Sequence, residues 1–106
     1  MGQAKEGLAN IQNDDKVTFK YFNSKKAPTK IHFTVKVLNA GKIFVSTNNF
    51  VLPINVYLEI PENKNPEFVE YTADVSGIKE GTFPVFIKFT GERGKDLFLV
   101  DSFWFE

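Results

Sequence analysis

Large apolar side chains recur at every second position over much of this chain. In KVTFKYF they are Val17, Phe19 and Tyr21, alternating with Thr18 and Lys20. In TKIHFTVKV they are Ile31, Phe33, Val35 and Val37, alternating with His32, Thr34 and Lys36. INVYLEI puts Ile54, Val56, Leu58 and Ile60 on one face and Asn55, Tyr57 and Glu59 on the other. Successive side chains of a strand leave opposite faces, so this period predicts half-buried strands with one face on a core. GKIFVST, EFVEYTADV, FPVFIKFT and the terminal LFLVDSFWFE predict further strands with weaker alternation. In the last of these, Phe103 and Phe105 share a face and Trp104 points the other way. The stretches NSKKAPT, NAGK, PENKNPE, GIKEGT and GERGKD separate the strands, and their Asn, Gly, Pro and Lys supply turn geometry. No helical period of useful length intervenes. The expectation is an all-β fold, an antiparallel β-sandwich of jelly-roll type. It forms a single domain over residues 1–106, with residues 1–15 partly loose and Leu8 and Ile11 as their anchors.

Composition sharpens this. A chain of 106 residues suits one core. Twelve Phe against one Met is a pleated-sheet bias, since a helical bundle leans on Leu, Ala and Met. Thirteen Lys and Arg balance thirteen Asp and Glu, which argues against nucleic-acid binding by phosphate neutralisation. Lys16, Lys20, Lys25, Lys26 and Lys30 form a basic stretch best read as a solvated strand edge and loop, where lysines discourage strand-to-strand aggregation. The chain has no cysteine, so disulfides and thiolate metal sites are excluded. No apolar run approaches a membrane span, MGQAKEGLANI lacks the apolar centre of a signal peptide, and Glu6 stands where a myristoylation signal needs Ser or Thr. The expected setting is either the cytoplasm or a secreted, extracellular longer chain of which this is one domain.

Catalytic chemistry is not legible. The single histidine, His32, lies on the polar face of a strand and reads as a surface or cross-strand residue; without a second His or a Cys, no zinc site of ordinary composition can be built. There is no Gly-x-Ser-x-Gly elbow, Walker loop or Gly-x-Gly-x-x-Gly. Paired carboxylates exist only in the sense that thirteen acids always offer pairs. NDD and ERGKD do not match a calcium loop of the EF-hand type and read as solvated turns. No enzyme and no cofactor is expected. The remaining resource is aromatic. Sugar rings have apolar C–H faces that stack on exposed aromatics, with a few placed polar groups for the hydroxyls. Tyr57, Phe86 and Trp104 face away from the core stripe, with His32 near them in pattern, and Phe68 and Tyr71 flank the loop PENKNPE.

The segment FVEYTADVSGIKEGTFPVFIKFTGERGKDLFLVDSFWFE, with KEGTFPVFIKF and LFLVDSFWF as its matching pieces, resembles the end of family 6 carbohydrate-binding modules. GLANIQNDDKVTFKYFN is similar to an earlier segment of that family, and TKIHFTVKV to its next strand. The resemblance spans roughly residues 7–106. It implies a jelly-roll sandwich that binds a polysaccharide or oligosaccharide without catalysis, as an accessory domain of a glycan-degrading enzyme. It also implies a loop-end sugar site in which Asn10 replaces a tyrosine, Phe68 stands for a stacking Trp, and Leu99 replaces an Asn. A second family surface, one concave sheet face, would draw on Tyr57, Phe86 or Trp104. The resemblance further implies a structural calcium with Asp101 as one ligand, although the N-terminal strand that carries its partners has no counterpart here. The alternative expectation is a structural or protein-interaction sandwich that binds no sugar and self-associates through an open sheet edge.

Overall fold

The computed structural model describes residues 2–4, 7–50, 54–63 and 67–106. Nine strands occur in the order β1 (Gly2–Ala4), β2 (Gly7–Ala9), β3 (Lys16–Ser24), β4 (Lys30–Val37), β5 (Gly41–Ser46), β6 (Val56–Ile60), β7 (Phe68–Asp74), β8 (Gly81–Gly91) and β9 (Phe98–Phe105). They form two antiparallel sheets, one ordered β1-β2-β9-β4-β7 and the other β3-β8-β5-β6. This is the expected sandwich. Of the predicted turn over 61–67, residues 64–66 lie outside the described residues.

The alternating pattern does what period two requires. Ile31, Phe33, Val35 and Val37 on β4 meet Ile43 and Val45 on β5 and Val85, Ile87 and Phe89 on β8 in one buried cluster. Phe33, Phe89 and Phe98 are fully buried. The terminal strand contributes as its parity predicts. Phe103 and Phe105 turn inward into an aromatic cluster, with Phe103 5.1 Å from Phe19, 5.5 Å from Phe22 and 5.5 Å from Phe33. Phe22 and Phe83 close the other side of Phe105, at 5.7 and 5.6 Å. Edge-to-face and offset pairs of this kind add to the value of the buried area.

Two expectations need correction. Tyr21 is exposed, and Phe22 takes the inward place instead. The cause is a register shift between Phe19 and Phe22 against β8, which inserts a residue and inverts the alternation beyond it. Asn55 is buried at 5 % exposure rather than solvated. It lies before β6 begins, so strand parity does not govern it. Its side chain accepts from the Thr47 amide at 3.0 Å and donates to the Ser76 carbonyl at 2.8 Å.

Part of the N-terminal segment pairs into the five-stranded sheet. Gly7–Ala9 joins β9 through Leu8 opposite Val100, and Gly2–Ala4 pairs with it as a hairpin. Leu8 and Ile11 are buried, as their apolar character required. Gly7 is needed for this approach, since a Cβ there would run into the Val100 carbonyl oxygen.

Candidate functional site

The sandwich has two outward faces and a loop end, and the sequence candidates divide among them. On the five-stranded sheet, His32 lies opposite Trp104 on β9 and Thr72 on β7. The imidazole stacks on the indole at 5.1 Å and 13°. Its Nε2 lies 2.6 Å from a Glu106 carboxylate oxygen and its Nδ1 3.0 Å from the Thr72 hydroxyl. Both ring nitrogens are therefore engaged, and one face of Trp104 is covered by a side chain of its own sheet. His32 is a cross-strand residue, as its position on the polar face indicated.

At the loop end, Phe68 and Leu99 both lie opposite Lys36, from β7 and β9 respectively. Asn10 follows β2 at the same end, exposed and in the left-handed backbone region at φ 57°. Phe68 is half exposed, at 51 %. Tyr71 does not join it. Residues three apart in a strand leave opposite faces. Tyr71 is paired with Phe33 and packs half-buried against the core. The loop end thus offers one exposed ring, with an apolar Leu99 where a polar contact would be needed.

The acidic candidate fares no better as a metal ligand. Asp101 is the extra residue where β9 shifts register between Ser102 and Val100, and it is exposed. It borders a cleft lined mainly by Leu8, Phe19, Phe22, Val100 and Phe103. Among the described residues no group of three or more His or acidic side chains could hold a metal. Calcium takes six to eight oxygen ligands, and the described residues around Asp101 do not supply such a set.

The outward face of the four-stranded sheet is different. Tyr57 on β6, Phe44 on β5 and Phe86 on β8 all project from it, because each alternates with buried neighbours: Val56, Ile43 and Val45, and Val85 and Ile87. Phe44 pairs directly with Tyr57, their ring centres 5.2 Å apart. Phe86 lies opposite Ser46 and carries Phe50 edge-on at 5.1 Å and 69°. Together Phe44, Ser46, Phe50, Ile54, Phe86, Lys88 and Thr90 enclose a cleft of about 270 Å³. Tyr57, 49 % exposed, extends the aromatic surface beyond the cleft. Asn49 and Phe50 both hold positive φ, at 51° and 63°. A bulky residue in that region is strained, and such strain tends to gather at ligand clamps. The connection between β5 and β6 is braced from below by Asn55 through Thr47 and Ser76, and by the Asn48 amide donating to the Ser46 hydroxyl at 2.9 Å.

Tyr57 and Phe86 were readable from parity alone. Phe44 was hidden inside the apolar run IFV, and only its spacing from Lys42 and Ser46 marked it as outward. Phe50 sits in an irregular connection, where no period applies.

No protein-family model matches the sequence, and no curated protein matches it. Solved structures do. A glycoside hydrolase family 43 arabinoxylan arabinofuranohydrolase from Bacillus subtilis, solved with cellotetraose, is 24% identical with a TM-score of 0.83. That match covers 93% of this chain and 20% of that one, so the chain spans about a fifth of the enzyme's length. A β-1,3-glucan-binding family 6 module from Bacillus halodurans is 22% identical with a TM-score of 0.82, over 92% of this chain and 74% of that one. A family 6 carbohydrate-binding module from Clostridium cellulolyticum, solved with xylose, is 18% identical with a TM-score of 0.76, over 99% of this chain and 84% of that one. The chain is an all-β antiparallel sandwich of jelly-roll type. Its fold is that of the family 6 carbohydrate-binding modules.

Proposed function

We propose that the protein is a non-catalytic carbohydrate-binding module and that it holds a β-linked glycan on the outward face of the four-stranded sheet. The observation that carries this is the convergence of Phe44, Phe50 and Phe86 around one cleft, with Tyr57 beside Phe44, on a surface that the core does not need. An apolar platform with a few placed polar groups is the general form of a small-ligand site. Thr90 and Lys88 line the cleft beside the rings, with Ser46 buried at its base. Its volume, about 270 Å³, is near the lower end of the range for ligand pockets, roughly 300–1,000 Å³. That size suits one anchored sugar ring, with the rest of the chain lying across Tyr57.

The fold supports the same reading, since the solved modules it matches include one named for β-1,3-glucan binding and one solved with xylose. In this role the domain would serve a larger glycan-degrading enzyme, as in the arabinofuranohydrolase whose chain it matches over one part. Binding is stacking and hydroxyl contact, with no bond made or broken.

Affinity gel electrophoresis tests this directly. The protein is run through gels containing soluble β-glucan or xylan, beside Phe86→Ala and Trp104→Ala variants. Retardation of the parent and of Trp104→Ala, with loss of retardation in Phe86→Ala, is the expected result. Retardation that depends on Trp104 and not on Phe86 would move the site to the other sheet. A folded protein that no glycan retards would favour the interaction-domain alternative.

A further inference from the structure

Charge is unevenly divided between the two faces. The chain as a whole is neutral. Yet the strands of the four-stranded sheet direct Lys16, Lys20, Lys42 and Lys88 outward against a single carboxylate, Glu59. On the five-stranded sheet the outward Glu70 and Asp74, with Glu106 following β9, outnumber Lys30 and Lys36.

The lysines of the basic face also stand at the aromatic platform. The Lys16 ammonium lies 5.8 Å from the centre of the Phe50 ring, and the Lys42 ammonium 5.8 Å from that of Tyr57. Both are within cation–π reach. Lys88 lines the cleft itself, and among the described residues its one ion pair is a long contact, 3.8 Å, to Asp14. Neither Lys16 nor Lys42 has a carboxylate of the described residues within 4.0 Å. The cations are thus arranged around the rings and largely uncommitted.

We propose that this face selects acidic polysaccharide, meaning glycan that carries hexuronic acid residues. The inference rests on the assignment of glycan binding to this face. A uronic acid bears its carboxylate outside the ring, at the sugar's edge. When the sugar's C–H face stacks on Tyr57 or in the Phe44–Phe86 cleft, that carboxylate is carried to the rim, where the ammonium groups stand. A neutral sugar stacks equally well but leaves them unmatched. The attraction is between groups open to solvent, so it is modest for each pair and falls with salt.

The test uses β-linked ligands matched in backbone: glucuronoxylan and polymannuronate, each beside its own carboxyl-reduced form. Binding is measured by titration calorimetry at low salt and at 0.5 M sodium chloride, a concentration where the screening length falls to roughly 4 Å. The expected result is at least one acidic glycan bound roughly five- to tenfold more tightly than its reduced form at low salt, with most of that ratio lost at high salt. A Lys16→Gln/Lys42→Gln double variant should bring the ratio towards one, whereas Lys36→Gln on the opposite face should leave it as it was. Equal binding of acidic and reduced forms overturns the inference while the binding face stands. Failure to bind any of the four ligands, when β-glucan or neutral xylan binds, overturns it in the same way. Failure of every glycan on a folded protein overturns the binding face and the inference with it.

Discussion

Phe86 projects away from the core between two buried neighbours, Val85 and Ile87. A ring in that position contributes little to folding, so its removal separates binding from stability. We expect Phe86→Ala to weaken glycan binding by about 1–2 kcal/mol, roughly 5–30-fold, with Tm nearly unchanged; calorimetric titration and a melting curve measure the two effects. Tyr57→Ala should behave likewise. Trp104→Ala should spare binding, because the exposed indole belongs to the other sheet and already stacks on His32. Residue-level legibility followed parity. It was lost where residues were grouped by nearness to a loop instead, as with Tyr71 and Phe68, which lie three positions apart and leave opposite faces. Lys30 illustrates a smaller effect. Its hydrogen bond and charge attraction to Asp74, 3.0 Å away, raise its pKa above the ordinary lysine value. A raised folded-state pKa stabilises below the unfolded value and is lost as pH climbs through the folded one. The pair therefore contributes at neutral pH and fades only in strong alkali. Because both groups are solvent-exposed, Lys30→Met should lower stability only slightly at neutral pH and leave it unchanged in strong alkali.

Among the elements, the connection between β5 and β6 carries the greatest structural demand, since it must hold Phe50 at the cleft with a left-handed backbone. Asn55, near the end of that connection, is buried inside the protein. Its side chain reaches two segments that its backbone also reaches, through bonds from Asn55 to Val45 and from Ser76 to Asn55. Asn55→Ala leaves the Thr47 amide and the Ser76 carbonyl without these partners, a cost of about 1–3 kcal/mol in a denaturant titration. Glycan affinity should fall with it if the braced connection positions Phe50. At the opposite edge, Gly7→Ala would force β2 away from Val100 and destabilise the hairpin by roughly 1–3 kcal/mol. The seven longer strands were legible because one face of each is apolar. The β1–β2 hairpin was not, since three-residue strands are too short to show a period. The bulge in β3 was equally hidden, because Tyr21 and Phe22 are both aromatic and only the pairing with β8 decides which turns inward.

At the scale of the whole molecule, the sandwich separates stability from recognition. Phe33, Phe89 and Phe98 sit between the sheets, and Phe33→Ala should cost about 3–5 kcal/mol by leaving a cavity, enough to threaten folding of a domain this small. The rings that would meet sugar stand outside on the four-stranded sheet and can be changed without that cost. Fold class was written in the hydrophobic period, whereas the choice among three candidate surfaces depended on which strands become neighbours. Tyr57 and Phe86 are 29 positions apart in sequence and meet through β5, which contributes Phe44 between them. That assembly tests most directly by an amide NMR titration with β-glucan and xylan oligosaccharides, neutral and acidic. Saturable shifts confined to β5, β6 and β8 around Phe44, Tyr57 and Phe86 are the predicted outcome. Shifts centred on Trp104 or Phe68, with the four-stranded sheet silent, would contradict it.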